Sequence, residues 1–340
     1  MVNLSQSING ERKKNQLQTQ IMICEHHVNV SVVFGDSVVY VHYMMQLLCV
    51  LLLVILKTTD GVKDANFNVK DANQTLHYAW ASFCNETALR SWTCEWCQDE
   101  TRTTQIQAYL KDTKAGTQGF VGIDEANNRI IVAYRGSYNF ANTVQDMKFW
   151  MTSFPYGDEK DLEVDHGFFL AYNSLRQDTI SAVQSAKRSC KECGEVLVTG
   201  HSLGAAMATM LAGELGNSTK VRLYTFGSPR TGNEAFSNWV VQRIQGMGGS
   251  STRMRRQLDI VPAIPPRSIG YHHVSTEVWD VHDNDYNDTF VACDGSGEDP
   301  NCGDSEEHPV FPFDLIHLKP SEHTRYMGFQ GGSCIGGPKD

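Results

Sequence analysis

Two kinds of apolar pattern alternate along the chain. Short runs that are apolar at nearly every position are followed by longer stretches with the spacing of a helix. Residues 119–124 (GFVGID) and 129–134 (RIIVAY) read as a hairpin joined by the polar turn 125–128. An amphipathic segment over 167–188 predicts a long helix, and 195–199 (EVLVT) predicts the next strand. Past residue 202, Leu203, Met207, Met210, Leu211 and Leu215 recur at helical spacing. Gly204, Ala205, Ala206 and Ala208 keep the first turns of that helix slim enough to lie close on a sheet. Strands are expected over 221–226 and 253–258 around a helix near 236–244, and over 270–279. This alternation implies an α/β fold with a largely parallel sheet and helices on both faces. No Pro/Ser-rich linker, repeat or long charge run divides the chain beyond residue 60, so residues 60–340 are expected to form one domain.

The N-terminal part has a different pattern. Residues 47–56 (LLCVLLLVIL) are apolar without a break, which suits the core of a signal peptide. Two readings stay open: a cleaved signal starting at Met44 or Met45, or an uncleaved signal-anchor, because the exit lacks a small-residue cleavage site. Residues 1–59 are thus expected to be a polar leader plus a targeting segment, and the rest to enter the secretory lumen or the extracellular space.

Composition and charge narrow the function. The 340 residues are 41% hydrophobic, with 29 Lys+Arg against 39 Asp+Glu for a net charge of −10. Such content supports a full core, and the negative surface repels nucleic-acid phosphates, so no nucleic-acid partner is expected. Nor does anything point to an obligate protein partner. The 10 cysteines fit an oxidising compartment; Cys94/Cys97 and Cys190/Cys193 are too far apart to form one zinc ribbon. Cys24 and Cys49 fall in the leader, leaving eight for four bridges. Sequons at Asn73, Asn85, Asn217 and Asn287 agree with that route.

The chemistry centres on residues 200–204, Gly-His-Ser-Leu-Gly, a G-x-S-x-G that directly follows an apolar strand and opens a helix. Tight turns of this kind strain the serine backbone and project its hydroxyl from the sheet edge. The Leu203 N–H, at the start of the helix, is then placed to donate to an oxyanion. Serine needs a base and an orienting carboxylate, expected downstream in the order Asp, then His. Asp259 follows a strand and precedes a Pro-rich run that can fix its direction. Among the later histidines (272, 273, 282, 308, 317 and 323), His272 and His273 read as core residues, and pattern alone does not separate His317 from His323. The acidic stretch 283–288 lacks the glycine of a calcium loop, so neither metal nor cofactor is expected.

Residues 72–334 resemble the secreted fungal class 3 lipases, a branch of the α/β-hydrolases that includes feruloyl esterases. The matching stretches are 77–84 (HYAWASFC), 134–137 (YRGS), 164–168 (VDHGF), 199–205 (TGHSLGA), 224–230 (YTFGSPR), 259–262 (DIVP) and 323–328 (HTRYMG), in family order. The resemblance implies Ser202 as nucleophile, Asp259 as orienter and His323 as base, with His273 on a non-catalytic position. It implies an oxyanion hole from Ser137 and Leu203, and a lid over about residues 138–150. In that lid, Tyr138, Phe140, Met147, Phe149 and Trp150 would face lipid. It also implies disulfides Cys84–Cys334, Cys94–Cys97 and Cys293–Cys302; Cys190–Cys193 is expected from proximity alone. The function implied is a secreted serine lipase acting on acylglycerol esters at a lipid–water interface. A feruloyl or other polar-ester esterase is the alternative enzyme. A catalytically inactive, membrane-tethered lipase-like binding protein is the alternative of another class.

Overall fold

A computed structural model describes residues 67–137, 148–282, 288–306 and 319–334. The segment 47–56, lid residues 138–147, the acidic loop 283–287 and residues 307–318 lie outside the described residues. Among the described residues no helix is long and apolar enough to cross a membrane.

Eight strands form the main sheet, and their order in space is their order in sequence. They are β1 (Thr104–Asp112), β2 (Thr117–Asp124), β3 (Arg129–Tyr134), β4 (Glu195–His201), β5 (Val221–Phe226), β6 (Ser250–Arg256), β7 (Glu277–His282) and β8 (Asp288–Ala292). Strands β3 to β7 run parallel, while β1–β2–β3 and β7–β8 pair antiparallel at the two ends. Every residue of β3 is buried, as expected for a Val/Ile-rich strand covered on both faces.

Strand alternation assigns the two faces. Ile130, Val132 and Tyr134 point into a core shared with α3 (His166–Ser189), α4 (Leu203–Leu215) and α5 (Glu234–Gly246). Ile131 and Ala133 point the other way, into a core with α1 (Val69–Ala81) and α2 (Glu86–Ser91). Local signals start these helices. Asp165 accepts from the N–H groups of Gly167 and Phe168 at the head of α3, and Asn233 accepts from Phe236 N–H at the head of α5.

One strand expectation is corrected. Residues 270–279 are two pieces in two sheets: Tyr271–His272 pairs with Gly232–Asn233 in a small four-stranded sheet, whereas Glu277–His282 is β7. Both pieces are rich in β-forming side chains, so the crossing between them leaves no mark in the pattern.

All eight cysteines of the folded part are paired. Cys84–Cys334 ties α1's end to the C-terminal segment, and Cys94–Cys97, Cys190–Cys193 and Cys293–Cys302 close local loops.

Candidate active site

The carboxyl ends of β3 to β6 open on one edge of the sheet, the usual place for a site in a parallel α/β fold. Ser202 sits there alone between the end of β4 and the start of α4, with φ 58° and ψ −128°. That conformation costs a non-glycine residue of order 1–3 kcal/mol and is held by its surroundings. A Cβ on Gly200 would lie 2.3 Å from the Gly204 carbonyl oxygen, and one on Gly204 would lie 2.2 Å from the Tyr134 carbonyl oxygen. Only glycine fits at either position. The Ser202 N–H donates to the Phe226 carbonyl at 3.1 Å, fixing the turn to β5.

Asp259 and His323 meet beside this turn, and both are fully buried. Asp259 follows β6; His323 lies on the short helical turn Pro320–Thr324, which Lys319 docks by donating its N–H to the Leu258 carbonyl at 2.7 Å. His323 Nδ1 is 3.0 Å from each Asp259 carboxylate oxygen. The same carboxylate accepts from Val261 N–H at 2.9 Å and from the Tyr326 hydroxyl at 2.6 Å. Burial pushes the Asp259 carboxyl up, but His323, Tyr326 and the Val261 N–H outweigh it, and the net shift is downward. An ionised carboxylate fixes the Nδ1–H tautomer, so Nε2 is the nitrogen left to take a proton. Gly227, directly after Phe226, has φ +55°, and a Cβ there would be 2.9 Å from Asp259 Oδ2 and 2.9 Å from His323 Cε1. The backbone that anchors Ser202 therefore also lies against the Asp–His pair.

The turn after β3 approaches from the other side. Tyr134 is opposite Gly200 in the sheet, and a Cβ on Gly136 would come within 3.0 Å of Ser202 Cβ. Ser137, half-buried, is the next residue. Leu203 is the first residue of α4, where N–H groups have no partner within the helix and the dipole is positive. Two donor positions thus flank the serine.

Of the lid residues, Tyr138, Phe140 and Met147 lie outside the described residues. Phe149 is half-buried with its ring 6.4 Å from Tyr271; Trp150 is 52% exposed and stacks on His166 at 5.2 Å. His273 is buried with Nε2 2.8 Å from the Pro262 carbonyl, and His272 turns its Nδ1 to its neighbour's carbonyl, so neither reaches the serine edge. Among the described residues Glu277, Cys293 and Cys302 are the one metal-like grouping, and the two sulfurs are spent in a disulfide. His201, Tyr326 and Gly227 carry no role in the residue pattern: the stretches that contain them are legible, but their contacts are tertiary.

Residues 131–269 match the family described as Lipase (class 3). The chain is 35% identical over 235 residues to the secreted mono- and diacylglycerol lipase 1 of Fusarium solani, covering 65% of this chain and 67% of that one. The chain belongs to the class 3 lipase family. This class 3 lipase is also 29% identical over 250 residues to a lipase of Rhizomucor miehei, covering 72% of this chain and 64% of the relative. Among solved structures it is similar to a triacylglycerol lipase whose catalytic centre is formed by a serine protease triad. That match has a TM-score of 0.67 and 27% identity and covers 78% of this chain and 96% of the other. The family carries with it the α/β-hydrolase fold and carboxylic ester hydrolysis.

Proposed function

We propose that this class 3 lipase hydrolyses acylglycerol esters through an acyl-serine at Ser202, with His323 as base and Asp259 as its orienter. The observation that carries this reading is the His323 imidazole held by both oxygens of Asp259 beside the strained serine turn. Ser202 Oγ attacks the ester carbonyl while its proton passes to His323 Nε2. The tetrahedral oxyanion is met by the Leu203 N–H and by Ser137. Collapse of the intermediate breaks the ester C–O bond, and the alcohol leaves with the proton from His323. Water then repeats the cycle on the acyl-serine and releases the fatty acid. Ionised Asp259 stabilises the imidazolium formed in each half.

Trp150, exposed at the end of the lid stretch, supports a lipid surface as the partner. The four disulfides, together with the similarity to a secreted Fusarium lipase, support a secreted protein, and we assign residues 47–56 as the segment that directs export. The Cys293–Cys302 loop, which resembles the feruloyl-esterase branch, favours a polar-ester esterase as the second reading. Assembly of the serine, histidine and aspartate types at one edge weighs against an inactive binding protein.

Initial rates of one preparation on an emulsified triglyceride and on a soluble feruloyl ester separate the readings. We expect the emulsion to be preferred, with a jump in specific activity as a short-chain triglyceride passes its solubility limit. Smooth saturation through that limit with faster feruloyl ester turnover would assign the esterase reading instead.

A further inference from the structure

We infer that His201, the residue before the nucleophile, is a positioning residue that sets the register of the catalytic base from the same strand end that delivers the serine. His201 Nε2 lies 2.7 Å from the backbone carbonyl oxygen of His323. A carbonyl only accepts, so Nε2 carries the proton and donates. The two imidazole rings lie 4.2 Å apart at 34°, and the Trp80 ring packs on His201 at 4.5 Å. His323 sits on a five-residue turn outside the main sheet. Asp259 grips its imidazole, and His201 grips its main chain. Because His201 ends β4 and Ser202 follows at once, the separation between nucleophile and base rests on the geometry of two adjacent residues.

The surroundings keep this ring neutral. His201 is buried, and its Nδ1 has no hydrogen-bond partner among the described residues. Trp80 from α1 and Phe83 just after it pack on the ring, with Tyr326 at its edge. The titratable groups acting on it are His323, which disfavours its cation, and Asp259, which favours it; burial is the larger effect and holds it well below the usual histidine value. A charged His201 would also oppose the imidazolium that His323 must become during turnover.

This inference rests on His323 being the base, and the test keeps the two apart. Stoichiometric labelling of the wild type by a fluorophosphonate, lost in Ser202→Ala, together with the rate of His323→Ala, tests the serine mechanism alone. His201→Phe keeps a ring but loses the donor; His201→Gln keeps a donor of similar reach but loses the ring. Using p-nitrophenyl butyrate and counting sites by the phosphonate, we expect His201→Phe to lose about 10- to 100-fold in kcat with KM within about twofold, the scale of a small misplacement of a reacting group. His201→Gln should stay within about fivefold of wild type. A folded His201→Phe with full kcat per site overturns the inference, as does equal impairment of both variants. If neither variant folds, nitrogen NMR of histidine-labelled wild type decides. An Nε2–H ring that does not titrate while the protein stays folded supports the inference, and an Nδ1–H or titrating ring overturns it.

Discussion

Replacing Gly227 by Ala separates two quantities that active-site substitutions usually mix, backbone strain and intrusion on the reacting groups. Gly227 and Gly248 both have positive φ, +55° and +71°. Alanine in the left-handed region costs roughly 1–2 kcal/mol. A Cβ at Gly248 meets nothing within 4 Å, so the Gly248→Ala variant carries the backbone cost alone. At Gly227 the new carbon falls 2.9 Å from Asp259 Oδ2, 2.9 Å from His323 Cε1 and 3.0 Å from His323 Nδ1. Ordinary contact is about 3.5–4.0 Å, so the pair must yield by about half an ångström. Hydrogen bonds of 3.0 Å between His323 and Asp259 then reach the length at which such bonds cease to count. On the scale by which a misplacement of about 1 Å costs about 100-fold in rate, half of it costs about 10-fold, or about 1.4 kcal/mol of transition-state stabilisation. Both variants should lose a few degrees of Tm, at about 2–4 °C per kcal/mol for a domain of this size. Only Gly227→Ala should lose kcat per phosphonate-labelled site on a soluble ester. Equal per-site rates in the two variants would refute the claim that this backbone packs against the Asp259–His323 pair in the working enzyme.

Three further outcomes can be checked. Ser202→Ala should lower ester hydrolysis by about 10⁴- to 10⁶-fold with an unchanged fold by circular dichroism, and full activity would sink the serine mechanism. His323→Ala should lose activity on a similar scale, whereas His273→Ala should lower Tm and leave per-site rates within about tenfold; the reverse would reassign the base. Stability should fall in acid. Burial holds His77, His201 and His273 below the usual histidine value of about 6.5, so below that pH the unfolded chain takes up protons that the folded chain refuses. Each contributes stability that is full above about pH 6.5 and lost as pH drops toward its folded value, at up to about 1.4 kcal/mol per pH unit. The lowered carboxyls of Asp259 and Glu298 act in the same direction further into acid. Calorimetry from pH 8 to 4.5 should show Tm declining below neutrality, and a Tm maximum near pH 5 would contradict this.

How much the sequence reveals depends on whether a feature is local. Strands β3, β4 and β5 and helix α4 are legible because burial on both faces writes continuous apolar runs, and the Gly200–Gly204 turn carries its own steric reason. Helix α1 is not legible in this way. It buries Gln74, Thr75 and His77 beside Leu76 and Trp80, so its inward face looks polar. Strand β1 lies at the sheet edge with mixed burial and writes only a faint alternation. Within the site, the order Asp then His follows from the turn type, yet His317 and His323 were separable only through family resemblance. What picks out His323 physically is the docking of its turn on Leu258 and the Tyr326 hydroxyl on the shared carboxylate, contacts between segments far apart in the chain. Gly227 is in the same position, since its neighbours come from residues 259 and 323.

Cys84 and Cys334 stand 250 residues apart, and all eight strands of the main sheet are laid down by Ala292. During synthesis Ser202 and its strained turn are therefore made well before His323, the proposed base, has left the ribosome. On that assignment a nascent chain that ends before residue 323 holds the serine without its base and should not turn over esters. On the same assignment, competence requires residues 319–334 to dock, where the Cys84–Cys334 bridge ties them to the segment after α1. The catch also works backward: an extracellular protease that trims this tail, or a thiol that opens its bridge, would disarm the enzyme while leaving its sheet intact.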